Sequence, residues 1–204
     1  MLKEPPGRTS FLMEKDEQRI INYFKKNNLE EYADVTTILI DTGLRRGELF
    51  DLNYKENIKL DLGIITVKQN KEGDKPKSIP MTNRVKAILA ARRREGEEDK
   101  PFTKTRNGYS KAWQRMRVKL GYKKEDEITP HILRHTCASR LIQRGADLYT
   151  VQKYLGHSTI KVTERYAHLQ PDKLREASNL LEKKGETTRR LKLVRKARKN
   201  YEKP

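Results

Sequence analysis

Four stretches of this chain concentrate side chains able to handle a phosphate. They are Thr42-Gly43-Leu44-Arg45-Arg46-Gly47-Glu48-Leu49, the lysine-rich run around Lys71, His131-Ile132-Leu133-Arg134-His135, and Leu155-Gly156-His157 followed nine residues on by Tyr166. A phosphodiester attacked by a side-chain oxygen passes through a trigonal-bipyramidal state whose non-bridging oxygens carry the added charge. Planar, permanently charged guanidinium groups match that geometry with bidentate hydrogen bonds. Arg45, after a glycine that frees the chain to turn, and Arg134, on a helix whose entry is fixed by Pro130, are the two candidates. Arg46 would point about 100° away from Arg45 on a helix, so one of the pair faces the phosphate. Glu48, three residues beyond Arg45, is placed to hold its guanidinium. His131 and His135 have the i, i+4 spacing that also serves zinc. Ile132, however, stands where a zinc protease has its glutamate, and Arg134 between the histidines repels a cation, so no metal is expected.

These side chains need a scaffold, and the apolar spacing supplies a mostly helical one. Phe11, Ile20, Ile21 and Phe24 mark a first helix opened by an acidic stretch that suits the positive end of a helix dipole. Tyr32 to Asp41 predicts a second, more buried helix ending near Gly43, and a third starts around Arg45 and runs through Leu52. From Ile58 to Met81, β-branched runs flank the polar turn Asn70 to Asp74, the pattern of a β-hairpin. Helices are expected over Asn83 to Arg94 and Tyr109 to Leu120, with a charged loop from Glu95 to Lys100. Another runs from His131 to Arg144, with Thr129 as N-cap and Pro130 at the first helical position. Asp147 caps a helix to Leu155 that Gly156 ends, and Ser158 or Thr159 caps one carrying Tyr166 and His168. The fold class is mainly α with a small antiparallel β-sheet.

The 204 residues carry 46 Lys and Arg against 28 Asp and Glu, a net charge of +18, with 34% apolar residues. Such a chain has a lean core and a heavily charged surface. Residues 184–204 hold nine basic and two acidic side chains, so basicity belongs to the body as well as to the tail. Charge spread this way points to a phosphate backbone ahead of an acidic membrane surface or an acidic protein. Leu191, Val194 and Arg198 fall at helical spacing, so the tail reads either as a basic amphipathic helix or as a solvated end. Cys137, the single cysteine, excludes an internal disulfide and a cysteine zinc cluster and packs most simply as a small core residue. With no secretory leader and no long apolar run, a cytoplasmic protein without a membrane partner is expected.

The order Arg, Lys, His-x-x-Arg-His, Leu-Gly-His, Tyr over roughly residues 11 to 170 resembles the catalytic domain of the tyrosine recombinase (phage integrase) family. The resemblance implies that Arg45 and Arg134 bind the scissile phosphate and that His131 assists proton transfer. It implies further that His157 hydrogen-bonds the phosphate and that His135 is a buried supporting partner. Tyr166 is then the nucleophile, leaving a 3′-phosphotyrosine and expelling a 5′-hydroxyl with neither ATP nor a metal. A free phenol has a pKa near 10, so roughly 4 kcal/mol must come from its neighbours at neutral pH. Lys71 occupies the hairpin position that the family uses for the proton donor to the leaving oxygen, with Lys68 and Lys75 as alternatives. No cofactor is implied. The partners implied are double-stranded DNA, further copies of the chain in a tetramer on DNA, and accessory DNA-bending or directionality proteins. Rival readings are a DNA-binding regulator of the same fold and a type IB topoisomerase, which shares the chemistry. The expected organisation is a linker remnant at 1–10, the catalytic domain at 11–183 and the basic tail at 184–204. Pro5-Pro6-Gly7 favours an excised domain over a naturally short recombinase, and Leu180, Leu181 and residues 191–201 would pack on a neighbouring protomer.

Overall fold

The computed structural model describes residues 10–68, 76–93, 99–123 and 128–170, with Ser178 and Leu181. The hairpin turn with Lys71 and Lys75, most of the charged loop and the basic tail lie outside the described residues. One compact unit runs to Leu169. Within it α1 (Glu14–Lys26), α2 (Glu30–Thr42) and α3 (Arg46–Phe50) precede three strands, β1 (Ile58–Lys59), β2 (Ile64–Val67) and β3 (Lys77–Pro80). Then come α4 (Asn83–Arg92), α5 (Arg106–Lys119), α6 (Ile132–Gln143), α7 (Leu148–Leu155) and α8 (Lys161–Glu164), with a 3₁₀ turn over Ala167–Leu169. None of the described helices is long and apolar enough to cross a membrane.

Helix α2 is the axis of the unit. Its apolar residues Val35, Ile38, Leu39 and Ile40 are all buried, and α1 and α6 pack against it. A helix apolar around most of its circumference belongs inside a fold rather than on its surface. Beside it, Phe24, Tyr32, Tyr109 and Trp113 form an aromatic cluster, with the Tyr32 and Tyr109 rings 5.4 Å apart between centroids. Buried Glu17 accepts from Arg84 at 2.8 Å and Arg140 at 2.5 Å, and Arg84 also bonds Asp41. That network ties α1, α2, α4 and α6 together. Charges placed so deep persist only when paired.

The sheet has three antiparallel strands where the sequence predicts a two-stranded hairpin. A short β1 pairs Ile58 with Ile65, and β2 pairs Ile65 with Ile79 and Val67 with Lys77. The alternation puts Ile65, Val67, Ile79 and Lys77 on the buried face.

Two helices also differ from expectation. Thr129 does not cap α6: a tight turn through Pro130 leads into the helix, with Ile132 N–H donating to the Thr129 carbonyl at 3.0 Å and His131 in the flanking position. Helix α8 lasts four residues, so Tyr166 lies beyond it rather than on it. Asp147 and Gly156 bound α7 as read, Asp147 accepting from the Thr150 N–H at 2.9 Å and Gly156 adopting φ +68°. A smaller apolar cluster of Cys137, Ala138, Ile142, Val151 and Leu155 between α6 and α7 encloses the Tyr166 ring.

Candidate active site

Arg45 sits in extended conformation at the N-cap of α3. Its backbone N–H donates to Glu48 Oε2 at 2.7 Å and its Nη1 donates to Oε1 at 2.8 Å. One carboxylate thus fixes both ends of the arginine. The Glu48 side chain is 10% exposed and that of Arg45 is 48% exposed, leaving the outer guanidinium edge open to a ligand. Burial raises the Glu48 carboxyl, but the Lys77 charge and the bonds from Arg45 outweigh it and hold the group below its usual range. Arg46 turns elsewhere, donating to Ser110 Oγ at 2.6 Å.

Arg134 is the structural centre of the site. It is buried on α6, and its fork spans two helix ends: Nη1 donates to the Gly43 carbonyl at 2.5 Å and Nη2 to the Leu155 carbonyl at 2.6 Å. Both carbonyls belong to the unpaired C-terminal ends of helices, α2 and α7, where a cation is favoured by the aligned peptide dipoles. A guanidinium has five N–H groups, so donors remain for a ligand. Burial first, and the Arg45 charge second, lower its pKa to about 10, which keeps it charged at neutral pH. Gly43 is forced here: it adopts φ +60°, and a Cβ would come within 2.4 Å of Leu155 Cδ2 and 3.1 Å of Cys137 Sγ.

A cleft of about 250 Å³ is lined by Arg45, Arg46, Thr129, Pro130, His131 and Arg134 with Leu39 and Leu44. Arg45 from one motif and His131 and Arg134 from another therefore share one concave surface. His157 follows the Gly156 turn, and its Nδ1 meets Thr163 Oγ1 at 2.9 Å. Tyr166 is 2% exposed, and its hydroxyl lies 2.5 Å from His135 Nδ1. His131 in turn stacks edge-on against His135 at 4.7 Å between ring centroids. His168 is exposed, and Cys137 is a buried free thiol.

Of the lysines weighed for proton donation, Lys71 and Lys75 lie outside the described residues. Lys68 stands exposed just past β2 and lines a second cleft of about 480 Å³ with Arg45 and Arg106. Sequence reasoning passed over Lys77, which is buried on β3 with its Nζ 3.6 Å from Glu48 Oε2. The available signal was its place in the strand alternation, two residues from Ile79 on the inward face.

The histidines carry a pH signature. Burial, then the charges of neighbouring cations, pushes His135 and His157 down to about 4, and His131 is lowered by burial and Arg134. In the unfolded chain the same imidazoles titrate near 6.5. The unfolded state therefore binds protons first, so the stability these neutral rings contribute is complete above pH 6.5 and is lost as pH falls toward 4. Thermal melts from about pH 7 down to about pH 4.5 are expected to show a steeper decline for the wild type than for His135→Asn/His157→Gln; parallel declines count against neutral, buried imidazoles.

The sequence matches the model of the phage integrase family over residues 10–173. The chain belongs to the phage integrase family. It is 34% identical over 159 residues to the tyrosine recombinase XerA of Saccharolobus solfataricus, covering 78% of this chain and 52% of that one. The chain spans between 52% and 65% of the length of this and similar curated relatives. Among solved structures it is similar to the catalytic domain of bacteriophage HP1 integrase, with a TM-score of 0.68, 23% identity, and coverage of 84% of this chain and 95% of that one. It also resembles the Tn1549 transposon integrase in complex with circular intermediate DNA, with a TM-score of 0.69, 23% identity, and coverage of 88% and 68%. These two likenesses establish the fold. Within this integrase-family fold, Arg45, His131 and Arg134 line the cleft, whereas Tyr166 bonds His135, which packs on His131, and His157 bonds Thr163.

Proposed function

We propose that this chain is the catalytic unit of a site-specific DNA recombinase that cuts and rejoins strands through a covalent 3′-phosphotyrosine. The observation that carries the reading is the cleft on which Arg45, His131 and Arg134 converge. A backbone phosphate seated there meets two guanidinium groups aimed at its non-bridging oxygens, where charge grows in the transition state. The Tyr166 oxygen attacks phosphorus, the bond to the 5′ oxygen breaks, and the phenolic proton passes to an imidazole. His135 already holds that hydroxyl, with His131 beside it. Lys71 returns a proton to the leaving oxygen, and His157 bonds the phosphate. The phosphotyrosine keeps the energy of the broken ester, so attack by a 5′-hydroxyl rejoins the strand without a nucleotide.

Burial sets a condition on this chemistry. Tyr166 is 2% exposed, so the proposed attack requires the short segment 161–169 that carries it to move when DNA is bound. Exchange between sites requires several active sites on one DNA assembly. We infer a tetramer, aided by accessory proteins, with Leu180, Leu181 and residues 191–201 contributing to protomer packing, acting in the cytoplasm. The transposon integrase of similar fold is held on circular intermediate DNA, which supports duplex DNA as the partner.

Binding is expected to depend steeply on salt, because lysine and arginine displace condensed counterions. With about six to ten phosphate contacts, affinity falls by roughly 10³ to 10⁵ between about 50 and 200 mM salt. Fluorescence anisotropy on a labelled duplex measures the slope, and a flat response contradicts contact with the DNA backbone. A duplex nicked next to the cleavage site traps the covalent intermediate and tests the proposed reaction itself.

A further inference from the structure

We propose that Lys77 is a positioning residue that couples the two phosphate-binding arginines, a role that rests on the recombinase reading of the site. It stands on the inward face of β3, opposite Val67 in the register, where an apolar side chain would pack without cost. A buried ammonium is expensive to desolvate and persists where it has specific partners. The partners here are telling. Its Nζ donates to the Leu155 carbonyl at 3.2 Å and lies 3.6 Å from Glu48 Oε2. The Leu155 carbonyl is the one that receives Arg134 Nη2 at 2.6 Å, and Glu48 is the carboxylate that grips Arg45 at 2.8 Å. Lys77 thus touches the anchor of each arginine, and its compact ammonium has enough donors to serve both.

Two consequences follow from this arrangement. The Lys77 charge, together with the bonds from Arg45, holds the Glu48 carboxyl below its usual range and so favours the carboxylate that grips the Arg45 guanidinium. The contact with Leu155 also fixes the end of α7 immediately before Gly156 and His157. β3 thereby sets the spacing between the α3 arm that bears Arg45 and the α6–α7 arm that bears Arg134 and His157. A misplacement of order 1 Å at such groups costs about a hundredfold in rate.

The charged and titratable groups facing Lys77 are Glu48 and Arg45 from α3 and its start, Arg134 and the neutral thiol of Cys137 from α6, and the neutral imidazole of His157 after α7. Burial and the two arginines lower its pKa to about 8 against the opposing pull of Glu48. The ammonium is therefore complete below that pH and is lost above it, whereas an arginine in its place stays charged.

The test uses the full chain on a nicked duplex and measures the single-turnover rate of covalent adduct formation. Lys77→Met is expected to slow that step about a hundredfold with DNA affinity within about threefold of wild type. Lys77→Arg is expected to recover much of the rate, and its rate relative to wild type is expected to rise severalfold between about pH 7.5 and 9.5. A Lys77→Met rate equal to wild type overturns the proposal, as does a flat ratio for Lys77→Arg across that range. Full rescue of Lys77→Met by a substrate with a 5′-sulfur leaving group, which needs no proton, also overturns it, because it makes Lys77 an acid rather than a positioning group. Absence of any adduct from the wild type overturns the recombinase reading instead. The coupling is then read without DNA from the ¹⁵N resonances of the Arg45 and Arg134 guanidinium groups. They shift in Lys77→Met, or in Lys77→Arg if the methionine variant does not fold, when the coupling exists, and unmoved resonances contradict it.

Discussion

Arg134→Ala is expected to lose both stability and strand cleavage, each for a separate reason. In the folded chain this guanidinium closes the C-terminal ends of α2 and α7 through the Gly43 and Leu155 carbonyls. Hydrogen bonds from a charged donor contribute about 1.5–3 kcal/mol each, and truncation leaves a void and a carbonyl at Gly43 without this donor. A loss of about 3 kcal/mol or more is therefore expected in denaturant melts, large against the total stability of an ordinary domain. In the proposed reaction the same residue faces the phosphate, and removing one preorganised donor of charge costs about 10²–10³ in rate. With the displaced His157 arm added, adduct formation is expected to fall by at least about a thousandfold. Arg134→Lys separates the two effects: a single ammonium restores part of the stability, yet it cannot span two carbonyls and a phosphate, so the rate stays low. If Arg134→Lys cleaves like the wild type, the fork geometry has no part in catalysis.

Tyr166→Phe is expected to lose only one of the two, abolishing covalent chemistry while sparing the fold. Only the hydroxyl is removed, and with it the contact to His135 Nδ1. The ring stays in its apolar cluster with Val151 and Leu155. A stability change of about 1 kcal/mol, and DNA affinity equal to the wild type, follow from losing one hydrogen bond. Burial pushes the phenol up to about 12, partly offset by Arg165 and Arg134. At neutral pH the hydroxyl is thus un-ionised beside His135, so the proposed attack requires it to lose its proton.

What was legible in the sequence is what short-range physics decides. The Asp147 and Gly156 boundaries of α7 and the clasp of Glu48 on Arg45 involve residues within a few positions of one another, and each appears as read. The convergence of Arg45, His131 and Arg134 on one cleft was legible through motif order, which carries tertiary information that periodicity lacks. The misses are non-local. The third strand was hidden because β1 is two residues long and gains its identity from pairing with β2. Helix α8 was read too long because the apolar spacing toward Tyr166 continues past the helix into a 3₁₀ turn that packs on α6. Lys77 alternates with Ser78 on a short strand, which marks an inward position but not its partners. Its importance comes from β3 lying against α3 and α7, which no local pattern encodes. His135 was expected to support the site, and its direct bond to the Tyr166 hydroxyl depends on that same packing.

The most direct test of the central proposal is peptide mass mapping after the full chain is incubated with a nicked duplex carrying its cleavage site. The result predicted is a nucleotide-bearing peptide linked through the Tyr166 oxygen to a 3′-phosphate, present with the wild type and absent with Tyr166→Phe. No adduct from DNA-saturated wild-type protein, or an adduct that persists in Tyr166→Phe, would contradict Tyr166 as the nucleophile.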